Sequence, residues 1–210
     1  MMRTMVAFLV LAASGLALWG QKPKATGEDW VSLFNGADLT GWRPVGEEKW
    51  TVEDGVIHGQ GVSKAYGYLA TEKTYKDFHL SLRFKCLAAG NSGVFYHSTF
   101  KPGTVDILGI QVEIDRVIGH HTGGLYGDGR AWIVWPAPEN ETVIRPLEWN
   151  DMLIRVEGSR IRTRLNGVEM IDFTYPTPVY KDGVIALQLH SGGLGNMLFK
   201  DIWIRDLTVR

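Results

Sequence analysis

The chain has little of several features that identify common protein classes. Its 210 residues contain one cysteine, Cys86, so no disulfide bridge can form within the chain. The formal net charge is −1, and a chain so close to neutral has no strong field for nucleic acid or an anionic membrane. No P-loop, dinucleotide fingerprint, nucleophile elbow or zinc-protease motif occurs. We therefore expect no disulfide scaffold and no nucleic-acid partner. Cys86 lies within an apolar stripe and is expected to be a core residue.

Long apolar runs are also scarce, and the one present lies at the N-terminus. VAFLVLAASGLALWG (residues 6–20) follows a single positive charge, Arg3. It has the length of a signal-peptide core and is shorter than the roughly 20 residues that a membrane span needs. We predict a signal peptide at 1–20, a polar linker at 21–28 and one domain at 29–210. The mature protein is expected to be periplasmic or extracellular, with no membrane span; an uncleaved N-terminal anchor is the alternative.

Helical periodicity is absent from the rest of the chain. Apolar and polar residues instead alternate, as in FHLSLRFKC (78–86), which is typical of half-buried strands. Asn166-Gly167 between two alternating runs predicts a hairpin turn. Phe199 is out of phase with Ile202, which predicts a bulge between them. Together these patterns predict an all-β, two-sheet sandwich of the jelly-roll type.

The sequence GIQVEID (109–115) carries a polar face on an otherwise apolar strand. Gln111, Glu113 and Asp115 alternate with three apolar residues, so they point to one side of the strand. A loop rich in glycine, histidine and aromatic residues follows. The pattern predicts the floor of a binding cleft, with Glu113 as the first candidate for a catalytic base or ligand. Solvated strand residues are the alternative, and Asp115 could instead form a turn.

Histidines and aromatics near this strand supply further candidates. His190 shares a predicted strand face with Gln188 and is a candidate catalytic group, whereas His97 could bind substrate in the same cleft. His120 and His121 are adjacent and lack the helical spacing of a zinc pair. The sequence establishes no cofactor, and whether a divalent metal binds stays open.

The segment after the glycine-rich turn carries candidate substrate-binding side chains. Trp132 or Trp135 could stack on a pyranose ring, with Tyr126 nearby, or could simply pack in a loop. Arg130 could bind a developing enolate or pair with a carboxylate of the cleft. The alternating arginines at 160, 162 and 164 are interpreted as a solvated sheet face.

Several segments resemble one known family throughout the mature chain. They are SLFNGADLTGW (32–42), WTVEDGVIHGQG (50–61), NSGVFYHS (91–98), GIQVEID (109–115), TGGLYG (122–127) and GVIALQLHSG (183–192). In this order they are similar to the 3-keto-disaccharide hydrolase domain family of exported bacterial proteins. The resemblance implies a concanavalin A-like jelly roll. Gln111, whose amide could hold sugar hydroxyls, and Asn91 of the NSGVFYHS segment are further substrate-binding candidates. Many members have Glu before Gln where this chain has Gln111 before Glu113, and an arginine where it has Tyr96-His97.

The resemblance implies activity on glycosides that are oxidised to a ketone at C3. A base could remove the acidified proton on C2, the group on C1 could leave, and water could then add. Ordinary hydrolysis by two carboxyls stays open, because Glu113 and Asp115 could meet either separation that such enzymes use. The expected partner is a small carbohydrate, and the oligomeric state is open. The alternative function is a non-catalytic, lectin-like carbohydrate-binding module.

Overall fold

The computed structural model describes residues 29–127 and 131–208. Within these ranges the chain forms strands and one short helical turn, α1 (Pro138–Glu141). The strands are β1 (Val31–Ser32), β2 (Trp42–Val45), β3 (Lys49–Glu53), β4 (Val56–Gln60), β5 (Gly67–Tyr75), β6 (Phe78–Cys86), β7 (Ser92–Phe100), β8 (Ile107–Ile114), β9 (Leu125–Gly127), β10 (Ala131–Val134), β11 (Asn150–Glu157), β12 (Arg160–Leu165), β13 (Val168–Thr174), β14 (Gly183–Leu189) and β15 (Asn196–Asp206). In the described ranges, no helix has the length and apolar character needed to cross a bilayer.

The strands form two antiparallel sheets. One has the order β13-β12-β11-β6-β15-β4-β3, with β1 paired to β15, and we call it the back sheet. The other has the order β10-β9-β8-β7-β14-β5-β2, and we call it the cleft sheet. The predicted all-β sandwich is therefore confirmed. In the cleft sheet, β14 lies between β5 and β7, although it follows them by more than eighty residues in the chain.

Strict alternation along the strands builds the core between the sheets. On β6 the apolar residues from Phe78 to Cys86 are buried and the polar residues between them are partly exposed. They belong to the same buried cluster as Val94, Val112 and Leu187 of the cleft sheet. Burial raises the pKa of the Cys86 thiol to about 12, so at neutral pH it is a protonated core group and not a nucleophile.

Two local predictions are confirmed. Asn166 and Gly167 both have positive φ, and Leu165 pairs with Val168, so this hairpin is closed by a tight two-residue turn. The pairing of β15 with β6 shifts between Lys200 and Trp203, where Asp201 has φ +51°, which is the expected bulge. On the outer face of the back sheet, Arg160 pairs with Asp172 at 2.5 Å, as expected of a solvated face.

Candidate functional site

The outer face of the cleft sheet brings residues from distant parts of the chain into one row. Phe95 of β7 is paired with Gln111 of β8, Gln111 with Tyr126 of β9, and Tyr126 with Trp132 of β10. On the other side of β7, Gln188 of β14 is paired with Tyr68 of β5. Paired residues in adjacent strands point to the same face, so these side chains share one surface.

A cavity of about 560 Å³ lies over this row, within the usual range of small-molecule sites. Its walls combine strand residues of the cleft sheet with the loop between β7 and β8. The lining residues are Tyr66, Tyr68, Asn91, Phe95, Lys101, Val105, Asp106, Ile107, Leu108, Gly109, Gln111, Glu113, Tyr126, Gly127, Trp132, Gln188 and His190. The structure therefore brings six of the predicted site residues together: Asn91, Gln111, Glu113, Tyr126, Trp132 and His190.

Glu113 is a buried carboxyl on the floor of this cavity, with only 5% of its surface exposed. The side-chain amide of Gln111 donates to its Oε2 at 2.7 Å and also lies 3.3 Å from the backbone carbonyl of Ser92. Asn91 donates a second side-chain hydrogen bond to the same carboxyl. Two amides therefore hold Glu113 in one orientation.

The surroundings of Glu113 favour its protonated form. Burial and, secondly, the nearby charge of Asp115 raise the pKa of Glu113 to about 8, against a smaller opposing effect of the Asn91 hydrogen bond. A carboxyl with this pKa binds a proton far more tightly than an ordinary glutamate. Strongly perturbed groups inside a cleft are candidates for proton transfer.

His190 lies in the same cavity, immediately after β14. Its ring packs edge-on against Tyr66, with 4.9 Å between the ring centroids. Nδ1 is 3.2 Å from the Ser191 carbonyl and Nε2 is 3.5 Å from the Tyr66 hydroxyl. A carbonyl only accepts, so in the neutral ring Nδ1 carries the hydrogen and Nε2 is left as the acceptor. His190 and Tyr66 thus form a second proton-carrying unit in the cavity.

Two carbonyl oxygens of the cavity are buried without a donor. They are Oε1 of Gln188, a side chain only 3% exposed, and Oδ1 of Asn91. The main chain of Gln188 is fixed because the Ser92 hydroxyl donates to its carbonyl at 2.7 Å. Both residues line the cavity.

Aromatic side chains form the wall on the β9 and β10 side. Trp132 packs edge-on against Tyr126, with 5.4 Å between the ring centroids, and is 37% exposed. On its other side it meets His121, which stacks on Trp135. Trp135 does not line the cavity, so Trp132 is the tryptophan placed to contact a ligand.

The expectation that Asp115 lies with Glu113 in the cleft is wrong. β8 ends at Ile114, and Asp115 begins the next loop. Its Oδ1 accepts from the Val117 amide at 2.8 Å and its Oδ2 pairs with His120 at 2.9 Å. Asp115 is therefore the turn former that the sequence left as the alternative, and it does not line the cavity.

The expectation that His97 faces the same cleft is also wrong. The register of β7 against β8 shifts between Tyr96 and Thr99, and His97 has φ +49° within this bulge. The bulge turns the ring away from the cavity. Its Nε2 then lies 2.6 Å from the carbonyl of Lys76 and its Nδ1 lies 3.2 Å from that of Tyr180. His97 thus joins two loops behind the cleft.

Some predictions fall on residues outside the described ranges. Arg130, the signal peptide at 1–20 and the linker at 21–28 are among them.

His121 pairs with the buried Glu141 at 2.8 Å. In the part of the chain that the structure describes, no three His, Cys, Asp or Glu side chains meet as candidate metal ligands.

Comparison with known proteins identifies the family. The family described as the 3-keto-alpha-glucoside-1,2-lyase-like domain matches residues 29–205. The chain belongs to this family. A protein of Bacteroides thetaiotaomicron named 3-keto-disaccharide hydrolase is 35% identical over 79 residues, which are 33% of this chain and 27% of that protein. The chain thus matches about a quarter of that relative's length.

Solved structures agree with the assignment to the 3-keto-alpha-glucoside-1,2-lyase-like family. A Parabacteroides distasonis protein, provisionally named a glycosyl hydrolase, has a TM-score of 0.68 and 26% identity over 86% of this chain and 94% of its own. A Bacillus subtilis protein of unknown function with a galectin-like fold has a TM-score of 0.62 and 16% identity, covering 84% of this chain and 94% of its own. The second likeness concerns the fold alone. By sequence and fold the chain is thus similar to a protein named as a glycosyl hydrolase.

Sequence reasoning missed several cavity residues of this family member. The sequence places Gln188 on the strand face of His190 but assigns it no role, although its period-two spacing from His190 is a usable signal. No local signal identifies Tyr66, which lies just before β5. Lys101 and Asp106 lie 3.5 Å apart in the loop between β7 and β8. No signal in the sequence indicates that this loop folds over the cleft.

Proposed function

We propose that this protein is an exported enzyme that cleaves glycosides oxidised to a ketone at C3. The observation that carries the proposal is the buried, amide-held Glu113 in one cavity with the His190–Tyr66 pair. Two separate proton-carrying groups facing one cleft suit acid–base chemistry. Membership of the 3-keto-alpha-glucoside-1,2-lyase-like family and the named Bacteroides relative support the substrate class.

The reaction is an elimination followed by addition of water. Glu113, in its ionised form, takes the proton from C2, and the electron pair of that C–H bond forms the enolate of the C3 ketone. The enolate collapses to a C1–C2 double bond as the C1–O bond breaks, and the leaving oxygen receives a proton. Water then adds, with its hydroxyl at C1 and a proton at C2, so that the net change is hydrolysis.

The His190–Tyr66 pair serves the leaving oxygen. The Tyr66 hydroxyl, oriented by the acceptor Nε2 of His190, can give its proton to the departing oxygen. The water that later adds to C1 returns a proton to the Tyr66 oxygen, and Glu113 returns its proton to C2. The buried Glu113 supplies a base whose high proton affinity matches the weakly acidic C2–H. Asp115, which is held in its loop, contributes through its charge on Glu113 and not by contact with substrate.

The test is incubation of the purified mature domain with 3-keto-trehalose and a 3-keto-glucoside, with the unoxidised parent sugars beside them. We expect release of the C1 group from the keto substrates only. In deuterated water, elimination and addition place deuterium at C2 of the product above the level of an enzyme-free control. Cleavage without this label would indicate direct hydrolysis instead. Sugar binding with no cleavage would leave a lectin-like carbohydrate-binding module.

Glu113→Gln is the decisive variant, since it keeps the shape and removes the base. Loss of a general base lowers the rate by about 10²–10⁴-fold. Glu169→Gln makes the same chemical change at an exposed position of β13 and should leave the rate unchanged. Full activity in a folded Glu113→Gln protein would remove Glu113 from the mechanism. Export is tested separately by sequencing the N-terminus of the protein from its host, which should begin between Leu18 and Ala25.

A further inference from the structure

The cleft holds an unusual set of hydrogen-bond acceptors. Among the described residues, the buried side-chain atoms without a hydrogen-bond partner include two donors elsewhere in the fold, Nε1 of Trp50 and Nε of Arg155. The two acceptors, Oε1 of Gln188 and Oδ1 of Asn91, both line the cleft. Buried carbonyls are almost always paired, so two unpaired acceptors in one cavity indicate groups that await donors.

Each acceptor is held in place. Asn91 donates its amide N–H to Glu113, which turns its Oδ1 away from that carboxyl. The nearby Gln111 cannot supply a proton, because its amide nitrogen already faces Glu113 and the Ser92 carbonyl. Gln188 is only 3% exposed. The hydroxyl of Ser92, on the neighbouring strand, donates a hydrogen bond to its backbone carbonyl. The Gln188 carbonyl therefore cannot turn to solvent without disrupting the packing around it.

We infer that Gln188 and Asn91 determine the specificity of the cleft by accepting hydrogen bonds from two free hydroxyls of the reacting sugar ring, one of them the hydroxyl on C2. The assignment to C2 rests on the proposed function. Asn91 touches the carboxyl that takes the proton from C2, so its carbonyl lies beside the other substituent of that carbon. Gln188, on the strand that leads to His190, accepts from a second hydroxyl of the same ring.

The chemistry of the acceptors defines what the cleft rejects. A deoxy position leaves a buried carbonyl unpaired, and an ether or ketone oxygen there would face it with no proton between them. A site built around a hydroxyl rejects the analogue that lacks it more strongly than an apolar pocket rejects an extra methylene. The loss expected for one unpaired buried acceptor is about 5- to 150-fold.

Substrate analogues test the inference on the unaltered protein. The value of kcat/KM is compared for a 3-keto-glucoside and its 2-deoxy, 4-deoxy and 6-deoxy forms. Each kcat/KM is divided by the rate of base-catalysed elimination from the same sugar without enzyme, because removing the C2 hydroxyl also changes the acidity of the C2–H. The corrected value should fall about 5- to 150-fold for the 2-deoxy form. Either the 4-deoxy or the 6-deoxy form should show a similar loss of kcat/KM, which identifies the hydroxyl that donates to Gln188. Equal corrected kcat/KM for all four would overturn the inference.

Gln188→Leu supplies the matching change in the protein. It replaces the amide by an apolar side chain of similar shape and removes an unpaired carbonyl, so it should not lower the melting temperature. We expect kcat/KM to fall 5- to 150-fold for the parent sugar but not further for the deoxy form that lacks the partner hydroxyl. Gln60→Leu on β4, in the back sheet, is the control. Equal behaviour of the two variants would contradict the role of Gln188.

A binding experiment separates this inference from the proposed function. If no 3-keto-glycoside is cleaved, the proposed function fails, and binding of methyl glucoside and its 2-deoxy analogue is then measured by NMR titration. The inference is supported if wild type binds the 2-deoxy analogue more weakly than methyl glucoside. It also requires that Gln188→Leu binds methyl glucoside more weakly than wild type does. Equal binding in all cases would overturn it.

Discussion

Gly93 of β7 lies so close to Gln111 of β8 that a Cβ atom on Gly93 would come within 2.6 Å of the Gln111 amide nitrogen. Gly93 is paired with Glu113 in the same register. The missing side chain leaves the space in which the Gln111 amide reaches Glu113. A residue with no chemistry of its own thus controls the position of the buried carboxyl.

Gly93→Ala should therefore impair the site through sterics. The added methyl group must displace the Gln111 side chain, and overpacking of this kind costs about 1–3 kcal/mol of stability. We expect a lower melting temperature and a lower kcat, because the amide no longer holds Glu113. An active and fully stable Gly93→Ala protein would show that the Gln111–Glu113 contact does not matter for the reaction.

The rate should depend on pH through Glu113. Its pKa is raised to about 8 by burial and by Asp115, and a base acts only when ionised. We expect kcat/KM to rise about tenfold per pH unit below pH 8 and to level off above it. The measurement is a pH profile corrected for enzyme-free decay of the keto sugar. A profile that instead falls above pH 8 would make Glu113 the acid and His190 the base.

Glu113 should also make folding depend on pH. Its pKa is raised in the folded state, so the folded protein holds a proton that the unfolded chain releases above about pH 4.5. Wild-type stability is therefore fully present below that pH and falls as pH rises towards about 8. A tenfold difference in proton affinity corresponds to about 1.4 kcal/mol.

Denaturant titrations of Glu113→Gln provide the check. The variant should unfold at higher denaturant than wild type at pH 9 and at a similar concentration at pH 5. The exposed Glu169→Gln should match wild type at both values. A Glu113→Gln protein that is less stable at pH 9 would contradict a burial cost at this position.

The two tryptophans near the cleft should differ in effect. Trp132 lines the cavity and Trp135, at 54% exposure, does not. We expect Trp132→Ala to raise KM by about tenfold, which corresponds to about 1.4 kcal/mol of binding, with little change in melting temperature. Trp135→Ala should change KM less than twofold. Equal effects would place the sugar outside the wall formed by Tyr126 and Trp132.

Local sequence patterns predicted much of the fold but fewer of the residues in the site. Alternation along β6 reflects burial of one face, and alternation along β8 separates core residues from cleft residues. The strands and the position of Gln111 and Glu113 on the floor could therefore be predicted. His97 could not, since the bulge after Tyr96 changes which face the side chain takes. Asp115 was misplaced because the strand ends one residue earlier. Gln188 shares a strand face with His190, as the sequence predicts, but it comes beside Glu113 only because β14 pairs with β7, and no local window contains both strands.

The insertion of β14 between β5 and β7 has a consequence for how the molecule is made. Chains emerge from the ribosome N-terminus first, so β5 and β7 exist before the strand that joins them. Until Gly183–Leu189 is available, β5 and β7 lack the strand with which both pair in the cleft sheet. Gln188 and His190 arrive with that same strand, so a nascent chain acquires its full set of cleft residues at the moment its sheet becomes continuous. We therefore expect a chain truncated before residue 190 to be inactive, because it lacks His190.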